Sequence, residues 1–182
     1  MDAGVDYFGY VSDVTRTWPA SGRFQGVARE LYEVVLDVHE HLLKTVCEVR
    51  PLSLNELLSH QMQLFAERLI AIGVITEAHW KDVNKLNELL NRFCPHHVSH
   101  WLGLDVHDTA SVMRTQPLQQ AAVITVEPGV YLPADDPHVP ERFRGFGVRI
   151  EDDVLVTENG CEVLTDACPR QCEHIAQLIA AR

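Results

Sequence analysis

Three observations predict an α+β fold for this 182-residue chain, a curved antiparallel sheet with helices packed on its outer face. Strand-like segments lie near both ends, some with period-two alternation and some with runs of branched apolar residues. Between them, apolar residues recur at helical spacing in three stretches. Acidic side chains fall on or at the ends of the strand segments, which puts them on the inner face of the sheet and leaves the other face for the helices.

The first element is a hairpin. In MDAGVDYFGYVSDVTRTWP, apolar and aromatic residues alternate with Gly and small polar residues. A turn centred on Tyr7 and Phe8 makes opposed residues sum to fifteen, which pairs Asp2 with Asp13. Directly opposed residues have Cβ atoms roughly 5 Å apart, where two carboxylates repel unless a cation lies between them. A hairpin with one wet face and two exposed acids explains the segment equally well.

Helices follow. From about Val27 to Cys47 the residues Leu31, Val34, Val35, Val38, Leu42 and Val46 form an apolar stripe that Pro51 brings to an end. Ser53 and Glu56 form a capping box for a second helix reaching about Ile72. A third helix, from about Glu77 to Phe93, places Trp80, Val83, Leu86, Leu90 and Phe93 on one side. His39, His41, His60 and His79 read as residues of solvated helix faces.

CPHHVSHWLGLDVHD then carries His96, His97, His100 and His107, four of the ten histidines. Pro95 argues against a helix interior, and His96-His97-x-x-His100 does not match the helical His-Glu-x-x-His zinc pattern. Imidazole is both a common metal ligand and a proton carrier near neutral pH, but chemistry alone does not say which histidine would bind a metal. Glu127 ends a buried strand in AAVITVEPGVYLP, where an ionised carboxylate requires a partner such as a cation. In FGVRIEDDVLVTENG, alternation puts Arg149, Glu151 and Asp153 on one face and Val148, Ile150, Asp152 and Val154 on the other. Arg149 could orient an acid of such a site or form an ordinary cross-strand ion pair. Pro169 to Arg182 reads as a short closing helix.

Asp2, Asp13, His100, Glu127 and Glu151 together supply four hard carboxylates and one imidazole, a donor set for a pair of divalent cations rather than for thiolate-held zinc. The chain is long enough to bury a core, 46% of its residues are hydrophobic, and it holds no apolar run long enough to span a membrane. A formal charge of −11, from 15 basic and 26 acidic residues, argues against a nucleic-acid partner. The five cysteines are odd in number and lack paired zinc spacing, which favours free thiols in a reducing compartment.

GYVSDVTRTWP, PHHVSHWLGLDVHD, VITVEPGVY and GVRIEDDVLVT resemble the sequence blocks of aminopeptidase P, the Xaa-Pro aminopeptidases of the pita-bread metallopeptidase group, and most closely its mitochondrial-type, Xaa-Pro aminopeptidase 3-like branch. The resemblance runs from Met1 to the last residues. It implies a partial pita-bread fold in which Asp2, Asp13, His100, Glu127 and Glu151 hold two Mn²⁺ ions, and a two-metal hydroxide cleaves peptides that carry proline in the second position. It further implies that His96 and His107 contact the scissile peptide and the developing oxyanion. Glu127 would shuttle the water's proton and Arg149 would support an aspartate ligand. No nucleic-acid or membrane partner is implied, a homodimer belongs to the full-length protein, and the compartment would be mitochondrial or cytoplasmic.

Two departures stand out. Gln120-Ala121 replaces the family's usual Pro-Gly, and the chain opens one residue before a ligand position. Residues 1–182 are therefore expected to be the C-terminal part of a catalytic domain, with its upstream half and an N-terminal domain absent and Asp2 on a frayed end. Three alternatives follow: an inactive fragment that binds metal without turnover, a methionine-aminopeptidase-like activity, and a metal-free binding module of the same fold. The last is opposed by the intact ligand positions.

Overall fold

The computed structural model describes residues 1–181; Arg182, the last residue of the predicted closing helix, lies outside them. Phe8 and Gly9, both at positive φ, form the two-residue turn of the N-terminal hairpin. The hairpin comprises β1 (Asp2–Ala3), β2 (Asp6–Tyr7), β3 (Tyr10–Val11) and β4 (Val14–Thr15). Its register pairs Tyr7 with Tyr10, Asp6 with Val11 and Asp2 with Thr15, so opposed residues sum to seventeen. The expected Asp2–Asp13 opposition is corrected by two residues, because the turn centres one residue later, where glycine accepts the left-handed conformation. Asp2 and Asp13 still share a face as diagonal neighbours. The terminus is not frayed: the Met1 ammonium donates to the Arg16 carbonyl at 2.8 Å, and the Arg16 N–H donates to the Met1 carbonyl at 2.9 Å.

Helix α1 (Gly26–Glu48) buries the predicted stripe, with Leu31, Val35, Val38, Leu42 and Val46 fully enclosed. Ser53 and Glu56 make the reciprocal capping box of α2 (Leu54–Ala71). The predicted third helix is two pieces, α3 (Glu77–Trp80) and α4 (Val83–Phe93). Asp82 divides them by accepting the backbone N–H groups of Asn84 and Lys85, which starts a new helix. Trp80 and Val83, expected on the apolar side, are exposed, whereas Leu86, Leu90 and Phe93 are buried.

Two bent strands form the centre of the sheet. One consists of β5 (Val123–Val126) and β6 (Gly129–Leu132), the other of β7 (Phe146–Arg149) and β8 (Asp152–Thr157). Val126 faces Asp152 in one ladder and Gly129 faces Arg149 in the next, so the register is the same on both sides of the break. Strand β9 (Gly160–Val163) pairs with β8, and α5 (Cys172–Ala180) closes the chain within the predicted span. The β5 edge is covered by residues 98–102, through the Trp101–Ile124 bridge and bonds from Thr125 to His100 and from Leu102 to Val123. Helix α1 packs against β5, β7 and β9, so the helices lie on one face and leave the other for the acids.

Two expectations are corrected. His39 is fully buried rather than solvated, because its ring meets Asp152 from the sheet at 3.2 Å. Cys47 and Cys161 form a disulfide between α1 and β9, so only Cys94, Cys168 and Cys172 are free thiols.

Candidate metal centre

The site lies where the ladders are interrupted. Pro128 has no N–H to donate, and the register places Glu127 opposite Glu151 at this gap. The two glutamates form a non-hydrogen-bonded pair of the antiparallel register, so their amides point outward: Glu127 N–H donates to Val98 O at 2.9 Å and Glu151 N–H to Thr15 O at 3.1 Å. These bonds draw in the two flanking segments, one carrying His100 and the other Asp13. Asp13 leaves the hairpin ladder, and its N–H donates to the buried carboxylate of Asp153 at 3.1 Å. Opposite Asp13, Gly4 allows the Ser12 carbonyl to approach so closely that a Cβ would lie 1.8 Å from the oxygen. His100, Glu127, Glu151 and Asp13 thus stand in a row across four adjacent segments of one sheet face.

Donor atoms of Asp13, His100 and Glu151 all lie within 4.8 Å of one another. His100 Nδ1 donates to the Trp101 carbonyl at 3.0 Å, which leaves the Nε2 lone pair free. That lone pair is 3.5 Å from both Asp13 Oδ2 and Glu127 Oε1. The spacing is too long for a hydrogen bond and suits ligands that share a cation. Burial lowers the His100 pKa and so favours the neutral, ligating form.

The carboxyls respond in the opposite sense. Desolvation is the leading cause in each case: Glu151 is pushed up to about 8, Glu127 to about 7, Asp13 to about 6 and Asp153 to about 7. Repulsion among the neighbouring acids adds to this, while the Thr15 hydroxyl, donating to Glu151 Oε2 at 2.5 Å, opposes it. Hard oxygen donors and one unprotonated imidazole, with raised carboxyl pKa values, fit a divalent cation site.

Asp2 is half-exposed at the rim, where Arg149 Nη2 donates to its Oδ2. Arg149 is both an ion-pair partner and a positioning group, because its Nε donates to Thr15 Oγ1 at 3.0 Å and its Nη1 to Tyr131 Oη at 3.2 Å. Tyr131 Oη lies 2.8 Å from His96 Nε2, and His96 Nδ1 lies 2.9 Å from the His97 carbonyl. Nδ1 therefore carries the proton donated to His97, and the Tyr131 hydroxyl donates to Nε2. The His107 ring stacks edge-on against His100 with centroids 4.6 Å apart. The five ligand candidates, His96, His107 and Arg149 line a cleft of about 360 Å³, together with His97, Ser99 and Arg114.

Tyr131 and Arg114 were not read from the sequence. Tyr131 follows Glu127 and Gly129 at period two, a signal that was available. A Cβ on Gly129 would lie 2.7 Å from Tyr131 Oη and 2.8 Å from His96 Nε2, so only glycine fits between them. Arg114 lies in a loop whose course carries no periodicity to reveal it.

A match to metallopeptidase family M24 covers residues 1–158. The chain belongs to that family. It is 45% identical over 178 residues to Xaa-Pro aminopeptidase 3 of Mus musculus, an alignment covering 98% of this chain and 34% of the relative. It is 41% identical over 180 residues to the mitochondrial intermediate cleaving peptidase 55 of Arabidopsis thaliana, at the same coverages. Among solved structures, the Pseudomonas aeruginosa aminopeptidase PepP superposes with a TM-score of 0.88 at 38% identity, covering 99% of this chain and 40% of that one. This M24 chain therefore spans about a third of the length of the curated relatives it matches, and its fold is a part of the pita-bread domain. No helix of the described residues is long and apolar enough to cross a membrane.

Proposed function

We propose that this chain carries the metal-holding part of an aminopeptidase that releases the N-terminal residue from peptides with proline in the second position. Asp2, Asp13, His100, Glu127 and Glu151 are assigned as ligands of two divalent cations, manganese by preference. The observation that carries the reading is the free His100 Nε2 lone pair, aimed between two carboxylates at 3.5 Å with Glu151 beside them. Bound cations would supply Lewis acidity toward the peptide carbonyl and lower the pKa of water.

The chain's own groups account for the remaining chemistry. Glu127, at the cleft beside the cation positions, would take and return the proton of the attacking water. His107 at the cleft wall can donate to an oxyanion. His96 is held neutral by burial and oriented by Tyr131, so it offers a fixed ring surface to the substrate. Arg149 keeps Asp2 and Thr15 in place. A homodimer of the full-length protein and a mitochondrial or cytoplasmic compartment belong to the same proposal, and the name of the Arabidopsis relative supports the mitochondrial one.

The test is incubation of the purified chain with Mn²⁺ and a short Xaa-Pro peptide. The expected result is release of the first residue, lost on chelation and absent with alanine in the second position. Cleavage of a peptide with N-terminal methionine and a small second residue, without cleavage of Xaa-Pro peptides, would assign the methionine-aminopeptidase-like reading. Calorimetric Mn²⁺ binding without turnover of either peptide would assign the inactive fragment.

A further inference from the structure

On the far side of the ligand strand from the metal centre lies a buried charge cluster to which the reaction assigns nothing. Arg16 is 6% exposed, and all five of its N–H donors are engaged. Nη1 donates to the Thr15 carbonyl at 3.0 Å and the Glu151 carbonyl at 2.6 Å. Nη2 donates to Asp152 Oδ1 and to the Cys168 carbonyl, both at 2.7 Å, and Nε donates to the Pro169 carbonyl at 3.0 Å. Asp152 is fully buried and also accepts from Thr165 Oγ1 at 2.6 Å and Arg170 Nη1 at 3.3 Å.

The backbone groups that Arg16 clamps belong to the metal site. The Thr15 carbonyl also accepts the Glu151 N–H, and the Thr15 hydroxyl donates to the Glu151 carboxylate. Thr15 lies two residues after Asp13. One guanidinium therefore fixes the crossing of the two segments that carry Asp13 and Glu151, and Asp152 neutralises its buried charge. The planar fork is needed: a lysine ammonium offers three donors from one point and cannot reach carbonyls on three segments at once.

We infer that Arg16, held by Asp152, is a positioning residue for the metal centre, acting through the Thr15 and Glu151 main chain rather than by touching cation or substrate. The inference rests on the metal reading above and deepens it. Arg16→Lys keeps the charge and removes the fork. It is expected to weaken Mn²⁺ binding, measured calorimetrically below the melting temperature, about 10- to 100-fold, the range for residues that orient ligands. In the metal-free protein it is expected to speed hydrogen exchange in peptides covering residues 10–18 and 148–155. Arg29→Gln, which removes surface ion pairs to Glu33 and Glu173, leaves both measurements unchanged.

Thr165→Val deletes the hydroxyl's bond to Asp152 at 2.6 Å and its bond from the Asp153 N–H at 3.1 Å, and leaves Arg16 itself intact. It keeps the test decisive if Arg16→Lys does not fold, with the same two changes expected in smaller degree. A folded Arg16→Lys, or failing that a folded Thr165→Val, with parental Mn²⁺ affinity and parental exchange in both peptides would overturn the inference. If the parent binds no Mn²⁺, the metal reading fails separately, and the exchange measurement alone decides whether Arg16 holds the crossing.

Discussion

Adding metal at pH 7 should drive protons off the protein. Three of the assigned ligands, Glu151 at about 8, Glu127 at about 7 and Asp13 at about 6, are partly protonated at that pH in the metal-free chain. A cation takes only the ionised forms, so saturation releases roughly one and a half protons per chain, most of them from Glu151. Release should grow toward pH 6 and fade above pH 9, beyond all three values. A carboxyl whose folded pKa is raised binds more protons folded than unfolded. The contribution of these carboxyls to the stability of the metal-free chain is therefore undiminished below the unfolded value near 4, falls as pH rises above it and levels off beyond about 8. The buried histidines, whose pKa values burial lowers, contribute the opposite slope below about 6.5. For Glu151 alone, raised from 4.5 to about 8, the decline is bounded at on the order of 5 kcal/mol. Calorimetric titration with Mn²⁺ in buffers of low and high ionisation enthalpy reads the proton count from the slope of apparent enthalpy. A zero slope at pH 7, or a metal-free melting temperature that rises from pH 7 to 8, where the histidines are already neutral, would refute the reasoning.

Other expectations follow from single features. Glu127→Gln should retain the fold and lose about 100-fold or more in Mn²⁺ affinity, beyond what loss of an outer partner causes, and an unchanged titration would remove Glu127 from the ligand set. Ser53→Ala removes the hydroxyl of the α2 capping box and should cost about 1 kcal/mol in urea unfolding, with no change in metal affinity. Cys47→Ser opens a cross-link spanning 114 residues and should lower stability by roughly 2–4 kcal/mol. Correspondingly, the denatured, unreduced parent should alkylate at the three free thiols and gain two further sites only after reduction; five sites without reductant would rule the disulfide out.

What the sequence revealed and what it hid divide along physical lines. The α1 stripe and the α2 cap are local patterns, written within a few turns of chain, and both were legible. The break in the third helix was written in the same way, since Asp82 is a strong helix starter, but the apolar spacing across it masked the signal. The hairpin register turned on whether Gly9 lies inside or after the turn, and the preference of two-residue turns for glycine in their second position decides it. His39 and Cys47 were misjudged for another reason. Their partners, Asp152 and Cys161, lie more than a hundred residues away, and no periodicity on α1 announces them.

Glu127 could be found because its position contradicts the segment around it, whereas Asp2 and Asp13 fit a wet hairpin face equally well and only the family resemblance marks them. A carboxylate at the end of an apolar strand has no local explanation, whereas Arg16 beside Asp13 looks like any surface arginine until the fold buries it. Glu127 and Glu151 face each other as a non-hydrogen-bonded pair, so each amide is free to bond an outer segment. Those outer bonds bring His100 and Asp13 to either side of the glutamates. Placing like charges side by side on a buried sheet face raises the energy of the ionised metal-free chain. On the opposite face Arg16 and Asp152 are paired, and the guanidinium ties the Glu151 and Thr15 carbonyls together behind the acids. One face thus sets like charges against each other, and the face behind it matches a buried charge with its opposite.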